Sequence, residues 1–224
     1  MIRQHASRIA GALMAAAALA APVAVLAAPE DYATWDDSRD IILNTSATGV
    51  NVTDTVLDFP VLVRLGAAEA SIIGAANDGN SIRFSKADNV TALPYEIEYW
   101  SSTAAAIWVR VDTILGNNAT QKIRMHWGNA SAASESNGDA VFNASNGYVG
   151  HWNLGNASGT DPRPSSVAGA PAAQVRNALP PVAGIVGLAD TLSPNGTPNS
   201  SDPNGRYIEL GRDENFADVN YAGF

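Results

Sequence analysis

The chain reads as all-β: an antiparallel β-sandwich followed by an incomplete second β domain with long loops. Two observations predict this class. From Asp40 onward apolar residues recur with a period of two rather than 3.6, and Gly, Asn, Asp and Ser interrupt the runs at short, regular intervals. Charged residues make up only 16% of the 224, below the roughly 25% usual in soluble domains. Small polar residues, Gly and Pro take their place, a mix suited to short strands and many turns.

At the start, Arg3 and Arg8 precede an apolar run that ends in Pro22 and a small-residue site at Val25, Leu26 and Ala27. This is the pattern of a secretory signal over residues 1–27, cut after Ala27. The stretch from Ile9 to Ala28 is long enough for an uncleaved anchor, but alanine is weakly apolar and the cleavage pattern favours export. No membrane span is expected after cleavage. Loss of the two arginines would leave 11 of the 13 basic residues against 22 acidic ones. So acidic a chain argues against a nucleic-acid partner, which requires a basic surface. With no cysteine, stability rests on packing or bound ions rather than on disulfides.

The predicted strands follow in order: "RDIILNT" (39–45), "DFPVLVRL" (58–65), "SIRFS" (81–85), "PYEIEYW" (94–100), "AIWVRVD" (106–112), "KIRMHW" (122–127) and "GYVGHWNL" (147–154). Pro60, near the start of its run, argues for an edge position or the first residue of a strand, and "NDGN" at 77–80 supplies a turn. The segment 66–76 is short enough for one helical turn. Alternation puts Tyr95, Ile97 and Tyr99 on one face, with Ile107, Val109 and Val111, and Ile123, Met125 and Trp127, on the matching faces of the next two strands. In a meander, Ile97 would oppose Val109, and Val109 would oppose Met125. On the other face Glu96 would meet Arg110, Glu98 would meet Trp108, and Trp108 would meet His126.

Beyond Asn156 the texture changes to Pro, Gly, Ser and Asn, predicting long loops over 155–205, with "RYIELG" (206–211) as one further strand. The expected organisation is a signal over 1–27, a sandwich over 28–145 and a partial second domain over 146–224, itself the beginning of a longer module.

The succession "DFPVLVRL", "GNSIRFSKADNVTALPYEIEYW", "AAIWVRVD" and "IRMHWGNASA" resembles the bacterial family known as domain of unknown function 2341, over about residues 35–135. Its most specific pieces are "LPYEIE", "IWVRV" and "WGN". "GYVGHWNL" and "RYIELG" resemble the opening strands of a concanavalin-A-like, laminin-G-type module. The resemblance implies a jelly-roll-like fold and an extracellular setting, and it brings no catalytic residues.

Two glutamates two apart on a strand project to one side with Cα atoms about 6.5 to 7 Å apart, which admits Glu96 and Glu98 as the acid and nucleophile of a retaining glycosidase. The concanavalin-like glucanases use a Glu-x-Asp-x-Glu strand; here Glu98 stands at its middle position and Trp100 where the third carboxylate belongs. An Arg110 partner would moreover lower the Glu96 pKa rather than raise it. The expectation is therefore no enzyme and no catalytic residue. Beyond the expected signal the chain has two histidines, His126 and His151, on separate strands, which argues against zinc. No cofactor is expected other than calcium, for which the loops around Asp78 and Asp213 are the candidates, although ordinary turn chemistry accounts for both.

The most suggestive feature is aromatic. The register lines up Glu98, Trp108 and His126, with Trp100 at the strand end, as a surface for a polysaccharide or cell-surface glycan; alternatively Trp108 packs beneath another layer. Trp35 and Trp127 are expected in the core or at its edge, and Trp152 at the junction. Three functions stay open: a module for surface attachment or glycan recognition, a divergent glycosidase, and a structural spacer in an envelope protein.

Overall fold

The computed structural model describes residues 30–155, 159–160, 162–192 and 207–209. The expected signal, with its cut after Ala27, and the calcium candidate Asp213 lie outside them. Two three-stranded antiparallel sheets form a sandwich. One has the order β1 (Asp37–Ile42), β6 (Lys122–Trp127), β3 (Ile82–Lys86); the other has β2 (Val56–Leu65), β5 (Ala105–Ile114), β4 (Tyr95–Trp100). Six of the predicted strands are present within a few residues of their expected ends. Residues 67–75 form the short helical segment, a 3-10 turn Ala67–Glu69 running into α1 (Ala70–Ala75).

In β5 and β6, and in β4 as far as Ile97, the faces that alternation assigns are the ones that pack inward. Ile107, Val109 and Val111 meet Ile82, Phe84, Ile123 and Met125 across a core closed by Ile72, Ile73 and Leu93. Burying each large side chain of this kind stabilises the fold by about 1.5 to 3 kcal/mol. Pro60 lies in β2, an edge strand, where the loss of one N–H is tolerated.

The expected meander breaks after β5. Residues 115–121 carry the chain across to the opposite sheet, so β6 pairs with β1 and β3 rather than with β5. Side-chain bonds hold this crossing: the Gln121 amide accepts from Leu115 N at 2.7 Å and donates to Thr113 O at 2.7 Å. Met125 still faces the same core, but from the far side, because two packed sheets bury towards each other. Trp108 and His126 are therefore not neighbours: each lies on the outer face of a different sheet.

The β4–β5 register differs too. Tyr95 opposes Val109, Glu96 opposes Trp108 and Ile97 opposes Ile107, two residues from expectation, and a β-bulge then falls between Ile97 and Tyr99. Glu98 is the extra residue. A bulge reverses the alternation beyond it, so Trp100 packs against the core and Tyr99 turns outward, against Gly187. Trp100 also lies on the "NDGN" turn, where Gly79 has φ +84° and a Cβ would come within 2.6 Å of Ile97 and 3.2 Å of the Trp100 ring. Glycine answers both the left-handed backbone and the close approach.

After β6 the chain folds back over the β2–β5–β4 sheet. Ile97 N donates to Ser136 Oγ at 2.8 Å, and Asn137 N to Tyr95 O at 2.8 Å, which occupies part of the free edge of β4. A single helical turn, α2 (Gly138–Val141), follows, with Asn137 Oδ1 accepting from Ala140 N as its N-cap. It delivers Val141 and Phe142 into a satellite core with Val167, Trp108 and Tyr148. Residues 137–155 and 162–167 together make up this cover. "GYVGHWNL" is not a strand here; only Trp152 makes a bridge, to Ser165. The remaining described residues form two small antiparallel pairs. One is β7 (Gln174–Arg176) with β10 (Tyr207–Glu209), the latter within the expected "RYIELG"; the other is β8 (Pro181–Ala183) with β9 (Leu188–Asp190). Arg163 and Asp190 form a buried two-pronged ion pair at 3.0 and 2.8 Å.

Candidate functional site

Two polar regions stand out, one on the outer face of each sheet. The first surrounds the glutamates of β4. Trp108 Nε1 donates to Glu98 Oε2 at 2.5 Å, so the expected Glu98–Trp108 contact exists, although the residue opposite Trp108 in the register is Glu96. Glu96 does not meet Arg110, whose guanidinium lies 4.0 Å from Asp58. Its Oε1 instead accepts from Asn153 Nδ2 at 2.8 Å and Ser166 Oγ at 3.0 Å, residues far along the chain. His151 Nδ1 lies 3.9 Å from Glu96 Oε2, and its ring stacks on Phe142 at 3.6 Å, with Phe142 edge-on to Trp108 at 5.9 Å.

Burial pushes the Glu96 carboxyl above its ordinary range, against the pull of Ser166 and Asn153. This reverses the direction expected from an arginine partner. Burial also raises Glu98, opposed by the Trp108 hydrogen bond, and lowers His151, opposed by Glu98. Two raised carboxyls side by side suit proton-transfer chemistry in principle, but the cover lies over them. Ser166, His151 and Glu96 are not a nucleophilic triad, because Ser166 Oγ (3.4 Å) and Glu96 approach the same ring nitrogen, Nδ1.

The second region is an open cleft of about 660 Å³ on the outer face of the β1–β6–β3 sheet. Alternation turns Arg124 and His126 outward here, and the segment just before β1 folds across them. Tyr32 stacks on His126 at 4.1 Å and 14°, while His126 Nε2 and Ser85 Oγ are 2.9 Å apart. Burial, with Arg124 as a second cause, lowers the His126 pKa to about 4, so the ring is neutral at pH 7. Asp31, Asp36, Asp37, Ser38 and Asn89 form an exposed polar rim.

Arg83 holds the cleft wall in place. Its Nε–H faces Glu30 and Glu135 at 3.0 Å each, its Nη atoms donate to Asn80 O, Ile82 O, Ala133 O and Tyr95 Oη, and the guanidinium lies 5.2 Å from the Trp35 ring centroid. Trp35 and Trp127 are buried, as expected.

Of the four residues expected to share one binding surface, only Glu98 and Trp108 touch. His126 lines the cleft on the opposite sheet, and Trp100 packs inward. Asp78 is exposed in its turn, and no group of three or more acidic or histidine side chains that could hold a metal ion occurs among the described residues. Sequence reasoning missed the cleft. Its signal is "YATWDD" at 32–37, dense in aromatic and acidic residues immediately before a strand. It also missed Asn153 and Ser166, for which no local pattern exists.

The model of a family described as a domain of unknown function, DUF2341, matches residues 78–154. No curated protein and no solved structure matches the chain. The matched range runs from the "NDGN" turn through β3 to β6 and on through α2, His151 and Asn153. It thus takes in the cover up to Leu154, across the boundary expected at residue 145. No helix among the described residues is long and apolar enough to cross a membrane.

Proposed function

We propose that this chain is an exported, non-catalytic β-sandwich module for cell-surface attachment or glycan recognition, leading into a lectin-like second module. The observation that carries the reading is the cleft beside His126. At about 660 Å³ it is large enough for one or two sugar rings, since small-ligand sites run about 300 to 1,000 Å³. Its exposed rim offers carboxylates, a hydroxyl and an amide, groups that bind hydroxyl-rich, uncharged ligands. The acidic rim disfavours anions. The tryptophan face, by contrast, is occupied by the chain itself.

A glycan array probed with the purified chain tests this. Retention on neutral polysaccharides is expected, with a drop of at least about tenfold in the Asp36→Ala/Asp37→Ala double variant, the loss of two charge-assisted hydrogen bonds. Trp108→Ala should leave affinity unchanged. No retention on any glycan would favour a spacer or assembly role.

The glycosidase reading keeps one observation in its favour, the adjacent raised carboxyls of Glu96 and Glu98. Hydrolysis of a β-glucan panel that Glu98→Gln abolishes would establish it.

A further inference from the structure

Beneath the cover, two buried acceptors lack partners. Glu96 Oε2 and Asn153 Oδ1 are both inaccessible to solvent and make no hydrogen bond. An unsatisfied buried polar atom costs about 1 to 3 kcal/mol, so a pair of them in one contact calls for an explanation. The two belong to groups already joined, since Asn153 Nδ2 donates to Glu96 Oε1 at 2.8 Å. A carboxylic acid and a primary amide joined in this way close a ring when the acid's O–H donates to the amide oxygen. One proton on Glu96 Oε2 therefore supplies both orphans at once; no other protonation change of the pair does so.

We propose that Glu96 is protonated in the closed molecule and forms, with Asn153, a neutral acid–amide latch. This latch holds the cover over the outer face of the β2–β5–β4 sheet and releases it as Glu96 ionises. Its surroundings favour the neutral acid. From β4 Glu98 approaches, and from α2 Asp139, both acidic. On β5, Trp108 is committed to Glu98 and Arg110 faces Asp58. Glu135, just before α2, pairs with Arg83. His151 Nδ1 approaches the carboxyl to 3.9 Å, but burial disfavours its charged form, and at that distance it makes no hydrogen bond to Glu96. The fit is close: a Cβ at Gly138 would lie 2.7 Å from Glu96 Oε1 and 2.4 Å from Ser166 Oγ, so α2 reaches the carboxyl only as glycine.

The pH dependence follows from linkage. The closed-state pKa of Glu96 is raised and the open-state value is the ordinary one, near 4.5. The latch is therefore fully effective below that ordinary value and is lost as pH rises through the raised one. Between the two, the opening equilibrium climbs up to about tenfold per pH unit, then levels off.

Amide hydrogen exchange of the cover, followed from about pH 4 to about pH 9 in wild type, Glu96→Gln and Asn153→Ala, tests the latch across the linkage window. Comparing variants at each pH removes the intrinsic pH dependence of exchange, and β3 and β6 amides report that the sandwich stays folded. The amide introduced by Glu96→Gln presents an N–H where the acid has O–H, so this variant should stay protected across the range. Wild type should match it in acid and exchange at least about tenfold faster above the transition. Asn153→Ala should exchange fast throughout. The proposal is overturned if wild type and Glu96→Gln exchange alike at every pH, or if Glu96→Gln loosens the cover in acid.

Discussion

Trp108 shows how far a side chain's environment depends on residues remote from it. Its indole N–H is spent on Glu98 and its ring lies against Phe142, so truncation removes both a hydrogen bond and the base of the satellite core. Trp108→Ala should destabilise the chain by about 2 to 4 kcal/mol in urea unfolding, with the loss concentrated in the cover. His126 carries a separate prediction. Its folded pKa is depressed to about 4 from 6.5, so its contribution to stability is complete above the ordinary value and disappears as pH falls through the depressed one. Urea midpoints measured from about pH 7 to about pH 3.5 should decline over that window, and His126→Asn, which cannot take up a proton, should flatten the decline.

The covering turn α2 depends on a single absent methyl group. Gly138→Ala would force Cβ against Ser166 and Glu96, and over-packing of this kind costs about 1 to 3 kcal/mol. Thermal unfolding should register that loss, and proteolysis should cut first within the cover. The strands themselves were legible because period-two burial is a local property: the alternation of Ile107, Val109 and Val111 requires no knowledge of the partner strand. Partnership was not legible. Whether residues 115–121 turn back or cross over depends on contacts such as Gln121 with Thr113, which composition does not announce. The bulge at Glu98 was equally hidden, since "EIEYW" alternates as well with it as without it.

For the molecule as a whole, the inward parity of β5 and β6 survived the change of topology, because any two-layer sandwich buries one face of every strand. The candidate site fared differently. The contact of Glu98 with Trp108 was readable, although the residue opposite Trp108 is Glu96; Asn153, His151 and Ser166, however, approach Glu96 from more than about fifty residues away, and the cleft assembles from a segment preceding β1. Asp40 ties β1 to β6 beside that cleft: bonds from Arg124 and Lys122 hold its pKa at about 2. Its contribution is present above the ordinary value of 3.8 and is lost as pH falls towards 2. In an NMR titration its carboxyl resonance should move only near pH 2, and in Lys122→Ala the midpoint should rise.

Because one extra residue sits inside β4, that strand carries two reading frames, odd positions inward before Glu98 and even positions inward after it. Pairing β4 with β5 in plain alternation while keeping every residue would turn Trp100 to solvent and drive Tyr99 into the interior, whereas removing Glu98 together with the bulge would leave both facing as they do. Grafts into this strand must therefore keep the additional residue and the bulge together, or drop both.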